Sequence, residues 1–221
     1  NSQDYDVILT TASLSLRLAM IAPQLKAATI GWQHNCYDGY LHVKPVVFWQ
    51  QENLLQQYLP NLDRYIVLSD YDKRDYMEKL GIDCEVKINP RSFVSEKKCD
   101  VKSKRFLMAT RFVYAKGLDL MMESFEEFCK EDSEWELDII GDGDLFDQIR
   151  ADAKKRHLEK RVHFVGYTNE PEKYYLNSSV FLLPSRWEGW PMVIMEAFEF
   201  GLPVIAYHMG AMDLIIDCLL Y

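Results

Sequence analysis

Two acids and two bases in this chain have the types and spacing for chemistry. In the string SRWEGWPMVIMEAFEFG, Glu188 and Glu196 lie eight positions apart, with Pro191 where a helix takes its first residue and Gly201 just past its end. Eight helical positions amount to about 2.2 turns, about 80° of rotation past two full turns and about 12 Å of rise. Glu188 therefore belongs to the loop before the helix and Glu196 to the helix itself, and the pair cannot share a proton as a tight dyad. Acids so placed suit two parts of one extended ligand, such as the sugar hydroxyls and the ribose hydroxyls of a nucleotide sugar. Backbone N–H groups available over 189–193, ending at Val193, and the helix dipole offer an anion site for a diphosphate between them. Taken singly, each acid is better explained as a dipole-stabilising or helix-surface carboxylate; the whole string is not.

A second constellation is ATRFVYAKG, in which Arg111 and Lys116 follow a strand end and precede a helix. Two cations in such a loop can bracket a diphosphate and stabilise the charge that develops as a nucleotide leaves; two ordinary charges on a solvated loop read equally well. Weaker signals sit nearby. IIGDGD carries a Gly-x-Gly turn through Gly141 but lacks the third glycine of a dinucleotide fingerprint. In FVGYT, Gly166 lets backbone approach a planar base and Tyr167 can flank it, although a plain strand-end turn fits as well. In GWQHN, His34 stands among Trp32, Tyr37, Tyr40 and His42, where it can orient a sugar hydroxyl or serve only as a surface histidine.

These residues need elements to position them. From Arg105 onward, short apolar runs alternate with amphipathic stretches: RFLMAT, a helix over 118–130, WELDIIG, a helix over 145–158, RVHFVG, a short helix near 171–177, VFLLPS, a helix over 191–200, and PVIAY. That alternation predicts βαβ units and a parallel Rossmann-like sheet. Its ligands bind beyond the carboxyl ends of the strands, the loops that carry Arg111, Lys116, Gly141, Gly166 and Glu188. The first half shows strands over Asp6 to Thr10 and Arg64 to Ser69, a helix capped by Ser69 and ending at Gly81, and a strand in CEVKINP. We expect a first domain over 1–95, a polar linker over 96–103 and a second domain over 104–221.

With 48% apolar and 27% charged residues the 221-residue chain is an ordinary globular sequence. Its net charge of −9 falls mainly in 103–221, which excludes a nucleic-acid groove as the expected function. Cys36, Cys84, Cys99, Cys129 and Cys218 form no C-x-x-C pair, so reduced thiols are expected and a zinc site is not. No run of 18 apolar residues occurs, and the opening NSQDYD does not read as a signal peptide; a cytoplasmic location follows, with peripheral contact through 32–58 at the inner face of the plasma membrane as an option.

The strings ATRFVYAKGLDLMMESF, WELDIIGDGD, VHFVGYT and YYLNSSVFLLPSRWEGWPMVIMEAFEFGLPVIAY resemble, in order and spacing, the retaining glycosyltransferases of family 4. WQHN, YIVLSDYDK and INP match more loosely, most like enzymes that build bacterial surface polysaccharides. The resemblance implies an α/β fold of the GT-B type, two Rossmann-like domains, with the N-terminal one incomplete because the family's first strand and glycine-rich loop have no counterpart before Asp6. The other end stops short of the family's last strand and crossover helix. It also implies transfer of a hexose-type sugar from a nucleoside-diphosphate sugar, UDP favoured over GDP, to a saccharide or lipid-linked acceptor, with no metal and no tightly bound cofactor. Arg111 and Lys116 match the pair that binds the donor diphosphate, Glu188 the acid at the transferred sugar and Glu196 the acid at the ribose. Gly189, Trp190, Pro191 and Met192 match the loop whose backbone contacts sugar and phosphate. No general base is assigned. A GT-B-like sugar-nucleotide epimerase and a non-catalytic partner subunit remain as alternatives.

Overall fold

The computed structural model of this protein describes residues 4–43 and 51–209, so Cys218 and part of the aromatic region 32–58 lie outside the described residues. The chain forms two units. The first runs to Pro90 and takes back Trp187–Trp190; the second holds Arg91–Arg186 and Pro191–His208. Residues 96–103, the expected linker, group with the second unit: the Cys99 and Asp100 N–H groups donate to the Phe200 and Leu176 carbonyls at 2.8 and 3.2 Å.

In chain order the first unit contains β1 (Val7–Thr11), α1 (Leu14–Ile21), β2 (Ala28–Trp32), α2 (Tyr37–Leu41), α3 (Glu52–Tyr58), β3 (Arg64–Val67), α4 (Asp70–Leu80) and β4 (Glu85–Val86). Its four strands are parallel in the order β1-β2-β3-β4. Neither α1 nor β2 is visible from the sequence pattern, and both have a physical reason. The buried residues of α1 are Ser15, Leu16, Leu18 and Ala19, followed by Ala22, and the 15-18-19-22 spacing is masked by a serine. The Ser15 hydroxyl is satisfied by the Thr10 carbonyl at 3.3 Å. Strand β2, ATIGW, is short, and its buried positions are Thr29 and Gly31, so no apolar alternation shows.

Helix α4 starts as its sequence suggests. The Ser69 hydroxyl accepts from the Asp72 N–H at 2.9 Å and donates to Asp72 Oδ2 at 2.6 Å, while Asp72 Oδ1 accepts from the Tyr37 N–H at 2.8 Å. Asp72 is buried, and desolvation pushes its carboxyl pKa up. This cap thus joins the start of α2 to the start of α4.

The second unit contains β5 (Arg105–Ala109), α5 (Leu118–Glu131), β6 (Glu136–Ile140), α6 (Phe146–Lys155), β7 (Val162–Gly166), α7 (Glu172–Leu176), β8 (Val180–Leu183), α8 (Met192–Glu199) and β9 (Val204–Ala206). The expected alternation is present, and all five strands are parallel in the order β7-β6-β5-β8-β9. The order reverses between β5 and β8, so a crevice opens beyond their carboxyl ends. The core on one side of the sheet is built from Met108, Phe112, Met122, Leu137, Ile139 and Ile149, each nearly or fully buried.

One side chain binds the two loops of that crevice together. Arg186, three residues past β8, donates to both carboxylate oxygens of Asp119 in the first turn of α5, at 2.8 and 2.6 Å, and to the Tyr114 carbonyl at 2.9 Å. Its guanidinium lies 4.0 Å from the Tyr114 ring centroid, and the Arg186 backbone N–H donates to the Ala115 carbonyl at 2.8 Å. Next to it, Gly117 has φ +64°, and a Cβ there would stand 2.0 Å from the Pro184 carbonyl oxygen. Glycine is required at that point both by conformation and by the close approach of the two loops.

Two tests follow. Ser69→Ala removes the cap and the donor to a buried carboxylate, an expected loss of about 1–2 kcal/mol, read as a lower urea midpoint with an unchanged slope. The hydrogen bonds from Arg186 hold the Asp119 carboxyl below its ordinary value. The stability they add is therefore present above the unfolded carboxylate range, about pH 4, and lost as pH falls through the lower folded value. The melting-temperature gap between wild type and Asp119→Asn is expected to be small at neutral pH, because the carboxylate is half exposed, and to close on acidification.

Candidate functional site

At the carboxyl end of the second sheet, the three loops after β5, β6 and β7 are laced by backbone bonds. The Thr110 N–H donates to the Ile140 carbonyl at 2.9 Å, the Gly141 N–H to the Gly166 carbonyl at 2.9 Å, and the Phe112 N–H to the Asp142 carbonyl at 2.9 Å. Phe112 is fully buried, with its ring 4.9 Å from that of Phe146 and 6.3 Å from that of Phe164. It anchors the loop after β5, leaving its neighbour Arg111 exposed. Lys116 closes the short 3-10 turn Tyr114–Lys116 that the Arg186 clamp holds. Gly141 has φ +122°, and a Cβ there would stand 1.8 Å from the Thr110 carbonyl oxygen, so its glycine is set by packing between adjacent loops. Gly166 ends β7, and Tyr167, next along, is 78% exposed.

Helix α8 begins at Met192. Pro191 is its N-cap, with φ −76° and ψ +89°, one position before the place expected from sequence. The cause is local: Pro191 takes an extended ψ, and the first turn closes when the Ile194 N–H donates to the Pro191 carbonyl at 3.0 Å. Met192 and Val193 form that turn. Glu196, one turn further, is half-buried, and its Oε2 accepts from the Tyr175 hydroxyl at 2.9 Å. Desolvation raises the Glu196 carboxyl pKa, and the Tyr175 bond works against it.

Trp187, Glu188, Gly189 and Trp190 group with the first unit. Within it, a Cβ on Gly189 would stand 2.6 Å from the His34 carbonyl oxygen, so a larger residue at 189 has no room. His34 itself is exposed and stacks on Trp32 at 5.2 Å between ring centroids. Desolvation lowers its pKa, which keeps the imidazole neutral near neutral pH. Trp190 is buried, and its indole N–H has no hydrogen-bond partner among the described residues.

The fold thus gathers Arg111, Lys116, Gly141, Gly166, Tyr167, Pro191, Met192, Val193 and Glu196 at one end of the second sheet. His34, Glu188, Gly189 and Trp190 belong to the first unit, with Trp190 joined covalently to Pro191. Such an end, with an exposed Arg111 and a half-buried Lys116 on one side of the switch point and a helix start with a half-buried acid on the other, is suited to a ligand carrying both anionic and hydroxyl groups. Sequence reasoning passed over Tyr114, Asp119, Tyr175 and Arg186. Arg186 lies inside the string read for Glu188, and Asp119 follows Lys116 by three residues, but only the paired loops reveal their role. Among the described residues no group of three or more His, Cys, Asp or Glu side chains is placed to hold a metal ion. No described helix is long and apolar enough to cross a membrane.

Comparison with known proteins gives a consistent result. An uncharacterized glycosyltransferase of Haemophilus influenzae is 30% identical over 208 residues, covering 91% of this chain and 56% of that protein. The lipopolysaccharide 1,6-galactosyltransferase of Salmonella typhimurium is 31% identical over 105 residues, 46% of this chain and 29% of its own. A mutant of S. aureus TarM, crystallised with fondaparinux, alpha-GlcNAc-glycerol and UDP, superposes with a TM-score of 0.75 at 23% identity, over 86% of this chain and 39% of that one. The chain spans about half the length of the first of these relatives, or less of the others. Its fold is that of GT-B glycosyltransferases, with a parallel α/β sheet in each unit. Residues 92–217 match the family described as glycosyl transferases group 1, and the chain belongs to that family.

Proposed function

We propose that this protein moves a hexose-type sugar, with retention of configuration, from a nucleoside-diphosphate sugar to a saccharide or lipid-linked acceptor in polysaccharide or glycoconjugate biosynthesis. The observation that carries this reading is the pairing, at one sheet end, of the Arg111/Lys116 loop with the start of α8 and Glu196. The two cations and the N–H groups of the first turn of α8 take the diphosphate, and Glu196 takes the ribose hydroxyls. Glu188, eight positions before Glu196, takes the transferred sugar, and His34 orients a hydroxyl as a neutral imidazole.

The chemistry assigned to these groups is electrostatic. As the bond from anomeric carbon to phosphate oxygen breaks, negative charge builds on the leaving diphosphate, and Arg111 and Lys116 meet it with positive charge already in place. The local cations do this in a half of the chain whose net charge is −8, so attraction at longer range contributes little. No metal is invoked. UDP is the favoured leaving group: TarM, which shares the fold, was crystallised with it. The Salmonella relative, by its name, acts on lipopolysaccharide, which favours a surface-polysaccharide acceptor.

A ligand that binds only the folded state at about 100 times its Kd adds about 2.7 kcal/mol of stability. UDP in such excess is therefore expected to raise the melting temperature by about 5 °C or more. Arg111→Ala and Lys116→Ala are each expected to abolish most of that shift and to lower kcat about 10²–10³-fold. No shift with either UDP or GDP at millimolar concentration would refute the donor site.

A further inference from the structure

Glu196 is held by a residue with an unusually confined setting. Tyr175, on α7, is 1% exposed. Its ring packs near-parallel against both Phe181, 5.7 Å away with planes 6° apart, and Phe200, 5.2 Å away with planes 24° apart. A fully buried ring packed against two aromatic neighbours has little room to swing, so its hydroxyl is delivered to one point, Glu196 Oε2 at 2.9 Å. Among the described residues the Glu196 carboxylate accepts no other hydrogen bond, which leaves Oε1 as its available acceptor. Glu196 and Tyr175 line a cavity of about 1030 Å³ that runs between residues 93–97, α7 and the end of α8. That volume is sufficient for a nucleoside.

We propose that Tyr175 is a positioning residue of the donor site, fixing the carboxylate plane of Glu196 so that Oε1 faces the ribose hydroxyls of the donor in this cavity. The inference rests on the ribose reading of Glu196 given above. Tyr175 touches no ligand itself; it acts through the acid. Its proton is secure, because burial first and the neighbouring carboxylate second push the phenol pKa far up, so it donates at any working pH. Donation favours the charged form of Glu196 against the desolvation that disfavours it.

The other charges facing this acid are largely spoken for. Lys97 pairs with Glu172 at 2.7 Å and Lys173 with Glu170 at 3.5 Å, all exposed. Glu96 is exposed too, and Glu199, on the same helix, is paired with Arg91 at 2.8 Å. Removing the Tyr175 hydroxyl therefore acts chiefly on Glu196, raising its pKa.

The test is UDP binding by calorimetry across pH, on wild type, Tyr175→Phe, Glu196→Ala, Glu196→Gln and the Tyr175→Phe/Glu196→Ala double variant. Tyr175→Phe keeps the stacked ring, and a melting curve checks that it folds. Expected are a loss of about tenfold or more in Glu196→Ala and a loss of several-fold in Tyr175→Phe. In Tyr175→Phe the fall of affinity on acidification should begin at higher pH than in wild type. Glu196→Gln should lack that pH step, and the double variant should bind no more weakly than Glu196→Ala. A Glu196→Ala variant that binds UDP as wild type does overturns the ribose assignment itself. If Glu196→Ala weakens binding but Tyr175→Phe changes neither affinity nor pH profile, or weakens binding equally when Glu196 is absent, the positioning role is overturned alone.

Discussion

The geometry of the crevice in the second unit is tied by one ion pair at the point where its sheet changes direction. In a parallel sheet of order β7-β6-β5-β8-β9, the chain leaves β5 and β8 towards opposite faces, and their loops diverge unless something ties them. Arg186 does so with a planar fork that reaches Asp119, the Tyr114 carbonyl and the Tyr114 ring together. Lysine, with a single ammonium, could not make these contacts at once. The clamp also sets the spacing between the cation loop, which carries Lys116, and the chain segment that leads into Glu188.

Around that clamp, rigidity comes from backbone rather than from long side chains. Phe112 is buried as an anchor, and the N–H groups of Thr110, Phe112 and Gly141 are all used between neighbouring loops. Such a scaffold loses little entropy when a charged ligand arrives, because the loops that meet it are already ordered. The same logic explains Glu196. A half-buried carboxylate costs solvation, and a donor fixed by stacking offsets part of that cost while leaving one oxygen to be used.

Legibility from sequence followed burial. Strands β5 to β8 are short apolar runs between polar turns because both faces of a parallel sheet are covered, and such runs stand out. Helix α4 stood out through Ser69 and Gly81 at its ends. Helix α1 did not, since its inward stripe contains Ser15, satisfied by a backbone carbonyl that no local pattern predicts. Strand β2 buries Thr29 and Gly31 rather than apolar residues, and α8 began one residue late because Pro191 adopts an extended ψ.

The alternation of strands and helices along the second unit, the polar ends of helices and the string around Glu188 and Glu196 were determined by the sequence alone, because they rest on local propensity and on spacing within a few turns. The family followed from the same strings. What the tertiary structure decided were partnerships across the chain: Arg186 with Asp119, 67 positions away, and Tyr175 with Glu196, 21 positions away. Gly117 is held to glycine by its φ of +64° and by the Pro184 carbonyl beside it, a contact between two loops far apart in sequence. Contacts of this kind depend on which strands neighbour which, and a side chain shows no trace of that until the sheet has formed.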